Sequence, residues 1–128
     1  MTSIVFDASA VLALVRDEPG AEKVAAYIGR AAISAVNLQE VVKELLLSGL
    51  DEPIVRELLG ELRLDVRVHD AEAAFIAAGL HEQTKGSSYS LGDRSCMALA
   101  LQLGTPVLTA DRTWKKLKIK GLKFQHIG

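Results

Sequence analysis

A chain of 128 residues, 49% hydrophobic and 24% charged, has the length of one domain and the composition of a globular protein, which excludes a disordered chain. Its formal net charge of −1 gives no overall pull toward nucleic acid, so affinity of that kind must come from a local patch. The single cysteine excludes an internal disulfide and suits a reducing compartment. No basic stretch followed by a long apolar segment opens the chain, and no apolar run reaches the roughly 18 to 20 residues of a membrane span. The expectation is therefore one cytoplasmic domain over residues 1–128, without signal peptide or membrane contact.

Residues 3–6 read as a buried strand, since Ile4, Val5 and Phe6 are consecutive. A helix is predicted over 8–16, ended by Glu18-Pro19-Gly20, and an alanine-rich one over 21–29. A weak strand over 31–34 ends in Ser34, a suitable cap for a helix over 35–48. In that helix Leu38, Val41, Val42, Leu45 and Gly49 form a helical apolar stripe. Asp51 and Pro53 open another helix reaching Leu62. Residues 64–68 alternate apolar and charged side chains, as an edge strand with one exposed face does. Asp70 caps a helix to Glu82, and 83–89 is the most loop-like stretch. A strong helix over 91–104, a buried strand over 105–109, a short helix over 111–115 and a last strand over 122–127 complete the chain. Strands alternating with helices imply an α/β fold with a parallel sheet covered on both faces.

Asp7, Glu40, Asp93 and Asp111 stand where apolar runs end or helices begin. In a parallel sheet the carboxyl ends of the strands share one edge, so acids distant in sequence can meet there. Each acid also has a structural explanation: Asp7 and Asp111 as helix caps, Asp93 as the third residue of a capping box begun by Ser90, and Glu40 as a solvated side chain. Glu44 shares a helix face with Glu40 at i, i+4, a repulsion that a nearby cation or Lys43 would offset. If the acids converge, a donor set of hard oxygens selects Mg²⁺ or Mn²⁺ over zinc. His69, His81 and His126 lack zinc spacing, and Cys96 falls on a core stripe with Leu99, Ala100 and Leu103. With no nucleophile elbow and no phosphate loop, the main enzymatic option is metal-assisted chemistry, above all hydrolysis of a phosphodiester.

Four strings are more specific. Val5-Phe6-Asp7-Ala8-Ser9-Ala10-Val11-Leu12-Ala13 resembles the opening of a PIN-domain protein. Ser34-Ala35-Val36-Asn37-Leu38-Gln39-Glu40-Val41 is similar to the second acidic motif of that family. The segment from Ser90-Leu91-Gly92-Asp93 to Ala100 is similar to the third, and Val107-Leu108-Thr109-Ala110-Asp111-Arg112-Thr113-Trp114 to the fourth. Order, spacing and length resemble the compact VapC-type toxins of toxin–antitoxin pairs. The resemblance implies a three-layer α/β/α domain whose five-stranded parallel sheet has the order 3-2-1-4-5. It also implies Mg²⁺-dependent endoribonuclease activity, with Mn²⁺ as substitute, by metal-activated water. Asp7, Glu40, Asp93 and Asp111 become the metal-binding and catalytic quartet. Ser9 and Thr109 match positions with a small hydroxyl near the metals, and Glu44 stands close to Glu40. A cognate VapB-type antitoxin and a homodimer are implied as partners. The helix from Ala21 and the helix ending Leu45-Leu46-Leu47 are candidates for the antitoxin groove.

Arg112, Lys115, Lys116, Lys118, Lys120 and Lys123 place 6 of the 15 basic residues within 12 positions, which suits contact with RNA phosphates or a solvated edge equally. Lys85 and Arg94 are further candidates for holding RNA, and Trp114 or Tyr89 either for stacking on a base or, equally, for packing. Three other functions compete. A phosphatase with an aspartate nucleophile would want an acid two residues after Asp7, where Ser9 stands. A signalling receiver would want an acid beside Asp7. A non-catalytic RNA- or protein-binding module would use the same fold without the chemistry.

Overall fold

In the computed structural model, which describes residues 2–86 and 88–128, five strands pair in parallel throughout: β1 (Ile4–Phe6), β2 (Ala31–Ser34), β3 (Asp65–Arg67), β4 (Val107–Thr109) and β5 (Phe124–His126). Their order is β3-β2-β1-β4-β5, the order that the family resemblance implies. The helices among the described residues are α1 (Ala8–Val15), α2 (Ala21–Ala25), α3 (Ala35–Leu47), α4 (Glu52–Gly60), α5 (Ala71–Gly79) and α6 (Leu91–Leu103), with a 3₁₀ turn at Arg112–Lys116. Part of the predicted 83–89 loop, Ser87, lies outside the described residues.

Because side chains alternate across a strand, each central strand feeds two cores. Ile4, Phe6, Ile33 and Leu108 join Ala10, Val11, Val24, Val41, Leu45 and Val55 on the face covered by α1 to α4. Val5, Ala32 and Val107 point the other way, to Cys96, Met97, Leu99, Ala100 and Trp114. These are the three layers. The order of strands reverses direction between β1 and β4, and at such a switch point the connections leave a crevice at the carboxyl edge of the sheet.

Two predicted helices are shorter than their composition suggests. Over 26–30 the bonds from Tyr27 N–H to Val24 O and from Ile28 N–H to Ala25 O reach back only three residues, and Gly29, at φ +82°, gives its N–H to Leu62 O. Alanine favours helix there, but the chain must turn to enter β2. Past α5, Leu80 and His81 likewise bond three residues back, and the Thr84 hydroxyl closes the turn on Leu80 O at 2.7 Å. No helix of the described residues is long and apolar enough to cross a membrane.

Candidate metal and nuclease site

Asp7 follows the last residue of β1 and caps α1, its Oδ1 accepting from Ala10 N–H at 2.9 Å. Ser9 donates to the same oxygen at 2.7 Å, and the Thr109 hydroxyl donates to Oδ2 at 2.5 Å. Thr109 Oγ1 in turn accepts from Asp111 N–H at 3.0 Å, and Ser9 Oγ from Ala110 N–H at 2.9 Å. Two hydroxyls thus stitch the end of β1 to the loop after β4, across the switch point. Every donor to Asp7 among the described residues is neutral. Burial, against the lowering effect of these hydrogen bonds and with some help from the Asp93 charge, pushes the carboxyl up to about 6. The last strand steadies the same loop: His126 accepts Gly128 N–H at Nδ1, which leaves the proton of the neutral ring on Nε2, 2.9 Å from Ala110 O.

Glu40 projects from α3 toward the first turn of α6. The Asn37 amide donates to Glu40 Oε1 at 2.9 Å and to Gly92 O at 3.0 Å, tying the two helices together. A Cβ on Gly92 would lie 2.5 Å from Glu40 Oε1, so the carboxylate reaches this position only because that residue has no side chain. Neither Asn37 nor Gly92 stands among the residues that the sequence reading selected. A signal was present, since Asn37 shares the buried face of α3 with Val41 and Leu45, where a polar side chain needs a reason.

Asp93 completes the capping box of α6: its Oδ2 accepts from Ser90 N–H at 2.8 Å while Ser90 Oγ accepts from Asp93 N–H at 3.1 Å. Asp111 caps the 3₁₀ turn through Oδ1, which takes Thr113 N–H and the Thr113 hydroxyl. The structural explanations therefore hold for Asp7, Asp93 and Asp111, and none of them prevents a second role. Their charges act on two neighbouring groups. The buried Cys96 thiol is raised first by desolvation and then by Asp7, Asp93 and Glu40 together, while the Tyr89 hydroxyl is raised first by desolvation and then by Asp111 and Asp93. The two sets share Asp93, while Asp111 enters only the second. Among the described residues, no three His, Cys, Asp or Glu side chains close into a metal-holding group by themselves.

The other candidates are scattered. Glu44 lies 3.6 Å from Lys43, which answers its repulsion with Glu40 locally. Lys85 pairs with Glu82 at 2.6 Å in the open, and Arg94 donates to Tyr89 O at 3.4 Å. Arg112 is exposed beside Asp111. For Trp114 the packing alternative holds: it is fully buried and meets Phe124 edge to face, because the apolar side of the 3₁₀ turn is part of the second core. Tyr89 is tied down by its hydroxyl, which donates to Thr113 O at 2.6 Å. Of the two helices named for an apolar groove, α3 lines one. It runs along α3 and α4 to β3, an opening of about 500 Å³ lined by Leu38, Val42, Val55, Leu59, Leu64 and Val66, while α2 spends its apolar face on the core below α1.

The sequence matches the family model of the PIN domain over residues 4–120. The chain belongs to the PIN-domain family. PIN domains are generally nucleases and typically use divalent metals. A sequence comparison with curated proteins returns no match. In structure this PIN domain is similar to a chain of DNA-bound VapBC from Salmonella typhimurium, with a TM-score of 0.75, 20% identity and 100% of each chain covered. It is also similar to VapBC2 from Rickettsia felis bound to a fragment of promoter DNA (TM-score 0.72, 15% identity, 98% of each chain). A third is VapBC-1 from nontypeable Haemophilus influenzae (TM-score 0.71, 18% identity, 98% of each chain). At these identities the likeness is one of fold. The donor set of this PIN domain fits a hard divalent ion: it is all oxygen, and such an ion would relieve a buried carboxylate that meets only neutral donors.

Proposed function

We propose that this chain is a Mg²⁺-dependent endoribonuclease, with Mn²⁺ as a substitute, acting as the toxin of a toxin–antitoxin pair in the cytoplasm. The observation that carries the reading is the buried Asp7 carboxylate at the switch point, raised to about 6 and facing the charge of Asp93. Capping α1 needs an acceptor but no charge, whereas a cation site needs the charge. Asp7, Glu40, Asp93 and Asp111 are the residues that would hold the ion. The chemistry it supplies is activation of water and neutralisation of charge on the leaving oxygen. The chain's own part is to fix the donors: Ser9 and Thr109 orient Asp7, Asn37 aims Glu40 across Gly92, and the caps of α6 and the 3₁₀ turn set Asp93 and Asp111.

A VapB-type antitoxin is the proposed partner, with the α3–α4 groove as its apolar seat; Leu46 and Leu47 extend that seat and are 42% and 76% exposed. For a homodimer the candidate surface is on α5 and the start of α6, where Phe75 and Leu91 are exposed at 78% and 71%. These are large apolar areas for a face that meets only water.

Incubated with structured RNA, the purified chain is expected to cut it in Mg²⁺ or Mn²⁺, leaving a 5′-phosphate, and to stop in excess chelator. Gel mapping of the ends checks both, and full cleavage in chelator would sink the mechanism. Expressed alone in a bacterial host, the chain should arrest growth, with relief on co-expression of a small neighbouring gene for the antitoxin. Undisturbed growth at confirmed expression would remove the toxin role and leave the nuclease.

A further inference from the structure

Charge is divided very unevenly along this chain. Residues 112–128 carry six cations and no acidic side chain, so the other 111 residues hold nine cations and all 16 acids, a formal −7 against +6. A net charge of −1 conceals this split. Arg112, Lys115, Lys116, Lys118, Lys120 and Lys123 are all exposed, and none pairs with a carboxylate among the described residues.

Their placement is ordered as well. Arg112 follows Asp111 directly, at the carboxyl edge of the sheet, and Lys123 precedes β5, at the amino edge. Between them the chain descends the β4–β5 side of the molecule. Along that descent Trp114, Leu117, Ile119, Leu122 and Phe124 pack toward the second core. Lys118 and Lys120 fall between them and face outward. The backbone winds as it descends: residues 112–116 form the 3₁₀ turn, and residues 119–122 a tight turn in which Leu122 N–H bonds Ile119 O at 3.1 Å with Gly121 at φ +85°. The apolar side chains that fasten this segment to the core leave its cations on the outer surface.

From this we infer that the 112–123 strip is the track for a single RNA strand, which leaves the acidic site at Arg112 and runs down the β5 edge toward Lys123. The identity of the polyanion rests on the nuclease reading above; the track itself rests on charge and placement. A strand arriving over the rest of the surface meets net negative charge and then four acids. Over the strip it meets cations within a screening length of about 8 Å at physiological salt. A nuclease whose site is acidic must bring its substrate in from somewhere, and this strip gathers six of the 15 cations with no acid among them.

The test is binding of a fluorescent single-stranded RNA of about 20 nucleotides in excess chelator, followed by anisotropy from about 50 to 200 mM salt. Lys118→Gln with Lys120→Gln should reduce the slope of log affinity against log salt by about 1.4, and weaken binding roughly 25-fold near 0.1 M. Arg16→Gln with Lys23→Gln, an equal loss of exposed charge on the α1–α2 side, should leave both unchanged. Equal losses in the two pairs, no loss in the first, or tighter binding of duplex DNA of the same length would each overturn the track. Because cleavage is silent in chelator, the two readings fail separately. Strip-dependent binding without cleavage in any metal removes the nuclease and keeps the track, and cleavage with an unchanged slope does the reverse.

Discussion

Asp7→Asn should sharply reduce RNA cleavage and at the same time make the protein more stable above pH 6. The carboxyl titrates near 6 in the folded protein and near 4 in the unfolded chain, so the fold holds this proton the more tightly. Stability from that preference is fully present below pH about 4 and is lost as pH rises through about 6. At neutral pH the fold carries an ionised, buried group at a cost on the order of 3 kcal/mol. Asparagine keeps an oxygen for Ala10 N–H and the Ser9 hydroxyl and remains a good cap, while removing the charge. The expected result is a gain of about 1 to 3 kcal/mol at pH 7.5 without metal, with the pH dependence between 4 and 6 flattened. Cleavage should fall by on the order of 10³-fold, the loss of about 4 kcal/mol of transition-state stabilisation. Thermal melts across pH and gel assays check the two halves. A destabilised variant that still cuts RNA contradicts both.

Gly92→Ala separates site from fold in another way. Alanine is favoured over glycine in a helix, by up to about 1 kcal/mol in its interior, and Gly92 is the second residue of α6. Its Cβ would nonetheless stand 2.5 Å from Glu40 Oε1 and 2.7 Å from the carboxyl carbon. Since these atoms end a flexible side chain, the carboxylate should swing away while the helices stay. The melting temperature should be unchanged or higher, with cleavage and Mn²⁺ affinity each lower by roughly 10- to 100-fold, as when a ligand loses its support. Asn37→Ala should give a similar functional loss, now with lower stability, because Gly92 O loses a buried partner. Calorimetric Mn²⁺ titration beside thermal melts reads both variants. Normal metal affinity in Gly92→Ala would exclude Glu40 from the ion.

The sheet was legible because short buried runs such as Ile4-Val5-Phe6 and Val107-Leu108-Thr109 can be little else between helical patterns. The caps at Asp7, Ser34, Asp51, Asp70, Ser90 and Asp111 were legible because capping is local chemistry, settled within three residues. What escaped depends on neighbours far away in the chain. Gly92 reads as an indifferent helix residue until α3 is laid beside it, and Asn37 as one more polar side chain until Gly92 O is seen within its reach. Trp114 looked available to a base because nothing local says that Phe124 covers it. The C-terminal lysines were visible at once, but their position down one side appears only when β5 takes its place at the edge.

The capping bonds have a consequence for which ion the proposed site would accept. Asp93 spends Oδ2 on Ser90 and Asp111 spends Oδ1 on Thr113, while both oxygens of Asp7 already take hydrogen bonds. An oxygen that already takes a hydrogen bond is a weaker ligand, so Asp93 and Asp111 would favour single-oxygen contacts with an ion. Ca²⁺ gathers six to eight oxygens and favours carboxylates that grip with both, whereas Mg²⁺ is content with one or two single-oxygen ligands and keeps the rest of its shell as water. The hydrogen bonds that start these helices would thus also disfavour calcium, an ion of the same charge and the wrong appetite.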